Sequence, residues 1–157
     1  MIGFDPHDHR ACIDAALRTV EERCRAEGLQ LTPVRRRVLE ILLAGHRALG
    51  AYEILDHLGK EGFGTQPPVA YRALDFLIHH GFAHKIERLN AFVACSRLGV
   101  AHAPAFLICR LCGRVAEATA APDRGALAQA ASATRFTIER VVVEAFGVCP
   151  TCAAVAP

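Results

Sequence analysis

The sequence predicts an α+β protein in which a helical N-terminal domain precedes a smaller α/β domain. Apolar residues recur at helical spacing in four segments up to Gly81, and two short strand-like segments follow them. From residue 105 onward, strand-like segments surround a single helix, and a Cys-x-x-Cys pair stands near each end of this region. A length of 157 residues is sufficient for two small domains.

The four N-terminal helices are predicted from their ends as well as from their apolar faces. The first helix ends at Gly28, and Thr32-Pro33 supplies an N-cap and a first-turn proline for the second. The third helix runs from about Ala51 and stops by Gly62. The fourth follows two prolines and ends at Gly81, a typical residue just beyond a helix C-terminus.

A β-hairpin is predicted directly after the fourth helix. A two-residue turn at Leu89-Asn90 would pair Arg88 with Ala91 and place His84 directly opposite Cys95. Helices followed by a hairpin form the winged helix-turn-helix arrangement, in which the last helix enters the major groove of DNA. We therefore predict a DNA-binding domain over residues 1–96, of which 1–11 form a flexible tail, and a hinge over 97–104.

The second domain is predicted over residues 105–157. Strands are expected at 105–109 and 114–118, and a helix is expected from 123 to about 133, with Asp123 after Pro122 as its cap. The segment 136–146 is long and β-branched, so we expect a central or dimer-forming strand there.

The two Cys-x-x-Cys pairs of this domain predict a structural zinc site. Cys109, Cys112, Cys149 and Cys152 could supply the four thiolates of a tetrahedral shell. Gly113 permits the tight turn behind the first pair. The alternative is two separate pairs that are buried or redox-active. Neither pair is predicted to open a helix after a strand in a βαβ pattern, which argues against a thioredoxin-like role.

A second set of metal ligands is predicted around the hairpin. His84 and Cys95 face each other, His102 lies in the hinge and can fold back toward them, and Glu117 follows the first cysteine pair. Taken singly, such residues are typical of surface or core positions. Together they combine a soft thiolate with nitrogen and oxygen donors, and this combination favours zinc over iron or manganese.

Candidate DNA contacts lie in three of the predicted helices. Tyr71 and Arg72 begin the fourth helix, from which side chains can reach base edges. Tyr52 and Arg35 are candidates for contacts with the phosphate backbone. For Arg35 the alternative is a solvated turn, because consecutive helical residues point in different directions. The net charge of +2 neither supports nor excludes DNA binding.

Taken in order, several segments resemble the ferric uptake regulator (Fur) superfamily, and most closely its zinc uptake regulator branch. These segments are LTPVRRRVLEIL, AYEILDHL, PPVAYRALDFL, GFAHKIERLNAFVAC, ICRLCG and CPTC, within residues 12–152. The resemblance implies a homodimeric repressor with a winged-helix domain and a dimerisation domain, two zinc ions per chain, and double-stranded operator DNA, an AT-rich palindrome beside zinc-uptake genes. It assigns the four cysteines to a structural zinc and His84, Cys95, His102 and Glu117 to a regulatory zinc.

Two segments depart from the family pattern. Iron-sensing relatives carry a His-rich run before the first cysteine pair, whereas the corresponding AHAPAF retains only His102. The fourth helix begins with Val69-Ala70-Tyr71-Arg72 instead of Thr-Val-Tyr-Arg, so a threonine hydroxyl that could reach phosphate is missing.

Other functional classes are less consistent with the sequence. No apolar run approaches the roughly 20 residues of a membrane-spanning helix, and no signal peptide is recognised. We therefore expect a cytoplasmic protein that is not an enzyme and has neither a membrane partner nor a small-molecule substrate. The alternatives are a Fur-family sensor of iron, manganese or peroxide, a zinc hydrolase that uses the His/Cys/Glu set, and a redox switch that acts through the cysteine pairs.

Two further groups of residues have simpler interpretations. Cys24 lies on the apolar face of the first helix, and we expect it in the core, with an oxidation-sensitive thiol as the alternative. The residues Asp5, His7, Asp8 and His9 could bind metal adventitiously, but a mobile tail is the expected interpretation.

Overall fold

The computed structural model describes residue 4 and residues 8–121 and 124–155. Its N-terminal part contains four helices and a hairpin: α1 (His9–Glu27), α2 (Pro33–Leu43), α3 (Ala51–Lys60), α4 (Pro67–His79), β1 (Ala83–Ile86) and β2 (Ala91–Ala94). Its C-terminal part contains β3 (Ala103–Cys109), β4 (Val115–Ala120), α5 (Ala126–Thr134), β5 (Val143–Gly147) and α6 (Pro150–Val155). The predicted α+β class is confirmed.

The N-terminal helices begin and end where local sequence signals predict. The Thr32 hydroxyl accepts the backbone N–H of Arg35 at 3.4 Å and caps α2, with Pro33 at the first helical position. Gly81 has a φ of 73°, a conformation that favours glycine, and it turns the chain from α4 into β1. α1 begins at His9, so residues 9–11 of the predicted flexible tail are helical. Asp5 and His7 lie outside the described residues.

The four helices share one hydrophobic core. Its fully buried side chains include Val20, Leu39, Ile54, Leu58 and Leu74. Cys24 belongs to this core, as predicted, and its burial raises the pKa of its thiol.

The hairpin, hereafter the wing, forms with a register that differs from the predicted one. His84 pairs with Val93 and Ile86 with Ala91, so residues 87–90 form a four-residue turn, the wing turn. Cys95 lies beyond β2, where its N–H donates to the carbonyl of Phe82 at 3.0 Å. The predicted pairing of His84 with Cys95 is therefore wrong by two residues. Because side chains alternate with a period of two, this shift keeps both residues on the same face.

The second domain is built on a sheet with the strand order β4-β3-β5. β3 is the central strand, antiparallel to β4 and parallel to β5. The predicted strand over 136–146 is shorter than expected and lies at the edge, since β5 begins at Val143. β propensity indicates which residues suit a pleated, half-buried surface, but residues 136–142 pair with no strand among the described residues of this single chain. A dimer-forming strand there stays a prediction. Pro122 and Asp123, the predicted cap of α5, lie outside the described residues.

A second, smaller cluster of buried apolar residues places the wing against this sheet. It combines wing residues with sheet residues: Ile86, Val93, Phe106, Ile108 and Val115. The backbone N–H of Val115 also donates to the carbonyl of His46 at 2.7 Å. The wing is thus packed between the helical core and the sheet. In residues 8–121 and 124–155, no helix is long and apolar enough to cross a membrane.

Replacement of Leu74 by alanine tests the helical core. Leu74 is fully buried, so L74A is expected to lower the free energy of unfolding by about 2–5 kcal/mol. Leu89 in the wing turn is 44% exposed, and L89A is expected to change it by less than about 0.5 kcal/mol. Urea denaturation followed by circular dichroism measures both, and equal effects would contradict the described core.

Candidate metal centres

The four cysteines of the second domain converge at one end of its sheet. Cys109 ends β3, Cys112 lies in the turn before β4, Cys149 directly precedes α6, and Cys152 lies in its first turn. One ligand atom from each lies within 4.8 Å of all the others. The sulfurs of Cys112 and Cys149 are 3.8 Å apart, and four sulfurs about 2.3 Å from one ion would lie about 3.8 Å from each other. The arrangement fits a tetrahedral metal ion.

Backbone donors favour a thiolate at the centre of this group. The N–H groups of Cys112 and Cys149 point at the sulfur of Cys109 and lower the pKa of its thiol to about 6. Hydrogen bonding with the Cys149 and Cys112 thiols raises the pKa of Cys152. None of the seven cysteines forms a disulfide bond. The second pair lies at the start of the short helix α6 after β5, but no strand follows α6 in the described residues, so the pair does not stand in a βαβ pattern.

The second set of donors also converges, and its residues come from both domains. His84 lies on β1, Cys95 follows β2, His102 directly precedes β3, and Glu117 lies on β4. Their ligand atoms lie within 4.8 Å of one another. The Cys95 sulfur is 3.7 Å from Nε2 of His102 and 3.9 Å from Oε1 of Glu117. A tetrahedral ion with such mixed donors would hold them roughly 3.4–3.6 Å apart.

The orientation of each side chain leaves one donor atom directed into this group. His102 Nδ1 lies 2.7 Å from the carbonyl of Val100, which directs Nε2 inward. Glu117 Oε2 accepts hydrogen bonds from the N–H and hydroxyl of Ser96 at 2.8 and 3.0 Å, which directs Oε1 inward. His84 Nε2 is buried and, among the described residues, has no hydrogen-bond partner of suitable geometry. The donors therefore fit a metal ion.

The electrostatics of the second set centre on Glu117, whose side chain is buried. Burial alone would raise the pKa of this carboxyl, but the His84 imidazole, the Ser96 N–H and the His102 imidazole outweigh it and lower the pKa to about 2. His84 Nε2 and His102 Nε2 lie 3.2 and 2.5 Å from Glu117 Oε1. Burial and the Glu117 charge raise the pKa of Cys95 to about 12. A buried carboxylate thus faces two imidazoles and a thiol.

The four candidate DNA contacts differ in how accessible they are. Tyr52 and Tyr71 are 70% and 40% exposed, and Arg72 is exposed on the first turns of α4. Arg35 is held within the domain, because its guanidinium lies 3.9 Å from the centre of the Phe76 ring and donates to the carbonyl of Gln30 at 2.6 Å. To contact phosphate, the Arg35 guanidinium would have to leave the Phe76 ring and the Gln30 carbonyl.

The neighbouring arginines of α2 also have partners. Arg36 pairs with Glu40 and Glu21, and Arg37 pairs with Glu40 and Glu61. Arg36 and Arg37 thus share Glu40, and each also has a partner of its own, so these arginines do not form one free basic patch.

Sequence reasoning missed two groups that orient the second set. Ser96 holds Glu117, and the carbonyl of Val100 holds His102. The position of Ser96 directly after a predicted ligand is the only sequence signal for its role. Nothing in the sequence indicates the Val100 carbonyl, because every residue has one.

The chain is similar to known zinc uptake regulators, although no family model matches it. The zinc uptake regulation protein of Escherichia coli (strain K12) is 36% identical over 137 residues, which cover 87% of this chain and 80% of that protein. A solved structure of a zinc uptake regulator complexed with zinc and DNA is 35% identical, with a TM-score of 0.84. It covers 91% of this chain and 96% of that one.

Two structures of XcZur, each 38% identical to this chain, agree with it to different degrees. Holo XcZur has a TM-score of 0.75 and covers 89% of this chain and 98% of that one. Apo XcZur has a TM-score of 0.51 and covers 91% of this chain and 99% of that one. The overall structure of this chain is thus more similar to holo XcZur than to apo XcZur. The chain belongs to the zinc uptake regulator family.

Removal of one thiol tests the four-cysteine group. C112S is expected to lose one tightly bound metal ion per chain, because three sulfurs no longer complete the shell. C12S is the matched control, since Cys12 lies on α1 and belongs to neither set. Elemental analysis of the purified protein measures the metal content. Equal metal contents in C112S and the unaltered protein would contradict the assignment.

Proposed function

We propose that this chain is a zinc-responsive transcriptional repressor that binds operator DNA as a homodimer when zinc occupies His84, Cys95, His102 and Glu117. One observation carries the proposal: four buried or partly buried donors from the wing, the hinge and the second sheet converge on one point. Such a site joins the two domains. Its occupancy can therefore control how the DNA-binding domain is oriented.

Zinc is the metal that this donor set favours. The thiolate of Cys95 is a soft ligand, and carboxylate or imidazole sites without thiolate suit iron and manganese better. A four-coordinate shell of mixed sulfur, nitrogen and oxygen donors is acceptable to zinc. We assign a second zinc to Cys109, Cys112, Cys149 and Cys152, where it stabilises the second domain, which gives two ions per chain.

The residues of the regulatory site restrict the movement between the domains. Bound zinc would supply a positive charge that the Glu117 carboxylate and the Cys95 thiolate neutralise. The Val100 carbonyl and Ser96 fix His102 and Glu117, so the hinge and the sheet present their donors in a set direction. The greater similarity to holo XcZur than to apo XcZur supports a metal-dependent domain arrangement. Without that restraint the DNA-competent arrangement is less populated, and apparent affinity falls.

An apolar surface of the second domain is available for dimerisation. The described residues of α5 include none that is buried, and several large apolar side chains nearby are 44–68% exposed: Leu127, Phe136, Val142 and Phe146. A dimer with two-fold symmetry would cover this surface and present two α4 helices to successive major grooves. Its target would then be an AT-rich palindrome beside zinc-uptake genes, bound in the cytoplasm.

The variant C95S tests the regulatory site. Loss of the thiolate is expected to abolish zinc-dependent DNA binding, because the soft donor is removed. The four-cysteine zinc and the dimer are expected to remain. Fluorescence anisotropy with selected operator DNA, read over a zinc titration, measures the response, and C12S again serves as the control. Normal zinc-dependent binding by C95S would contradict the sensing assignment.

The identity of the signal is tested with the unaltered protein. We expect zinc to promote operator binding at lower free concentration than Fe(II) or Mn(II), because neither competes well for a thiolate-containing shell. A preference for iron or manganese in the same titration would favour the other Fur-family sensors. Retention of zinc under mild peroxide would argue against a redox switch.

The variant R72A tests the recognition helix. Arg72 is exposed at the start of α4, and R72A is expected to weaken operator binding by about 1–3 kcal/mol and to relax sequence preference. R18A is the control, since Arg18 is an exposed arginine on α1. Competition between operator and random DNA measures both effects. Unchanged affinity and unchanged preference in R72A would place the interface elsewhere.

A further inference from the structure

The wing turn contacts the second domain at β5, a strand that carries none of the proposed metal ligands. Glu144 on β5 accepts two hydrogen bonds from consecutive backbone N–H groups of the turn. Its Oε1 lies 2.6 Å from the nitrogen of Glu87, and its Oε2 lies 3.1 Å from the nitrogen of Arg88. Two adjacent N–H groups form a concave site for an anion, and each carboxylate oxygen of Glu144 accepts a hydrogen bond from one of them.

Two side-chain contacts accompany this interaction. Arg140 lies 2.7 Å from a carboxylate oxygen of Glu87, and the guanidinium of Arg88 lies 5.6 Å from the centre of the Phe146 ring. Glu144 and Phe146 are two residues apart on β5 and therefore share a face. Both Arg140 and Glu87 are exposed, so their ion pair contributes little. The Glu144 carboxylate is therefore the main polar contact between the wing turn and β5.

Glu144 and the proposed zinc ligand Glu117 occupy the same row of the sheet. Phe106 on the central strand pairs with Glu117 on one side and with Glu144 on the other. Residues paired in this way point to the same face. Phe106 packs in the cluster that holds the wing, and its ring lies 5.7 Å from the ring of His84.

The wing therefore lies across this row and is attached at both ends. Its base, with His84 and Cys95, meets Glu117 at the proposed regulatory site. Its turn meets Glu144. A single attachment at the base would allow the DNA-binding domain to rotate about that point. Two attachments at opposite ends of the hairpin fix the direction in which the hairpin lies on the sheet.

We propose that Glu144 is a positioning residue of the metal switch, which holds the wing turn on β5 so that zinc binding selects one orientation of the DNA-binding domain. This inference rests on the proposed function, because it concerns the orientation in which DNA is bound. Glu144 favours the same arrangement as the regulatory zinc. By linkage, its loss weakens both DNA binding and zinc binding at the regulatory site.

The test compares E144A and E144Q with the unaltered zinc-loaded dimer. E139Q is the matched control, since Glu139 is an exposed glutamate of the preceding segment. The first measurement is a zinc titration of binding to selected operator DNA. The second needs no DNA: hydrogen exchange of the wing-turn amides in the zinc-loaded protein. Dimer mass and retention of the four-cysteine zinc are recorded for each variant.

E144A is expected to bind operator DNA about tenfold more weakly at saturating zinc, the size of effect that one hydrogen bond to a charged group can have. It should need more zinc to reach half-saturation, and its Glu87 and Arg88 amides should exchange faster. E144Q should be intermediate, because its amide oxygen accepts one N–H whereas its NH₂ group faces the other. E139Q should match the unaltered protein.

Equal zinc titrations and equal amide exchange in E144A and E139Q would overturn the inference. If E144A loses the dimer, E144Q replaces it in the same comparison, and its equality with E139Q in both measurements overturns the inference as well. If the unaltered protein and E139Q show no zinc-dependent DNA binding, the proposed function fails. The exchange measurement then still shows whether Glu144 holds the wing turn.

Discussion

The packing of the wing on the three-stranded sheet is the contact on which the rest of this structure depends. Ile86 and Val93 from the wing meet Phe106 and Ile108 from β3 in one buried cluster. This cluster brings residues that follow the helical core within reach of Glu117 on β4. If the wing were displaced, the mixed donor set would be divided between two separate bodies.

The mixed donor set is held in place by contacts within the protein alone. The buried Glu117 carboxylate is stabilised by the Ser96 N–H and by two imidazoles, which compensate for the cost of removing a charge from water. Contacts from outside the set orient His102 and Glu117, as expected for residues that support a metal site. For a tetrahedral shell, His102 Nε2 and Glu117 Oε1, which lie 2.5 Å apart, would have to separate by about 1 Å.

The two candidate metal centres have different structural positions, and the proposed function gives them different roles. The four cysteines lie within the second domain, where the described residues of β5 and α5 contribute no buried side chain. A small domain with little core is stabilised by metal or by a partner subunit. The mixed set joins this domain to the wing. In the proposed function, zinc at this set changes the domain arrangement without unfolding either domain.

The sequence by itself determined the features that depend on near neighbours. Thr32-Pro33 and Gly81 set helix ends because caps and left-handed residues act within one turn of the chain. Cysteine spacing indicated a four-thiolate group, and donor chemistry together with the hairpin face indicated the mixed set, both of which the structure brings together. That either group binds a metal ion stays a prediction.

The tertiary structure alone decided the register and the supporting contacts. The sequence suggested a two-residue turn, whereas the wing turn has four residues, and Glu144 from a distant strand binds its backbone. β propensity overestimated β5 because it describes a residue's fitness for a sheet and not the presence of a partner strand. Ser96, Val100 and Glu144 act through contacts between segments far apart in sequence or through the backbone. A sequence pattern records local preference, and such contacts exist only once the segments have packed.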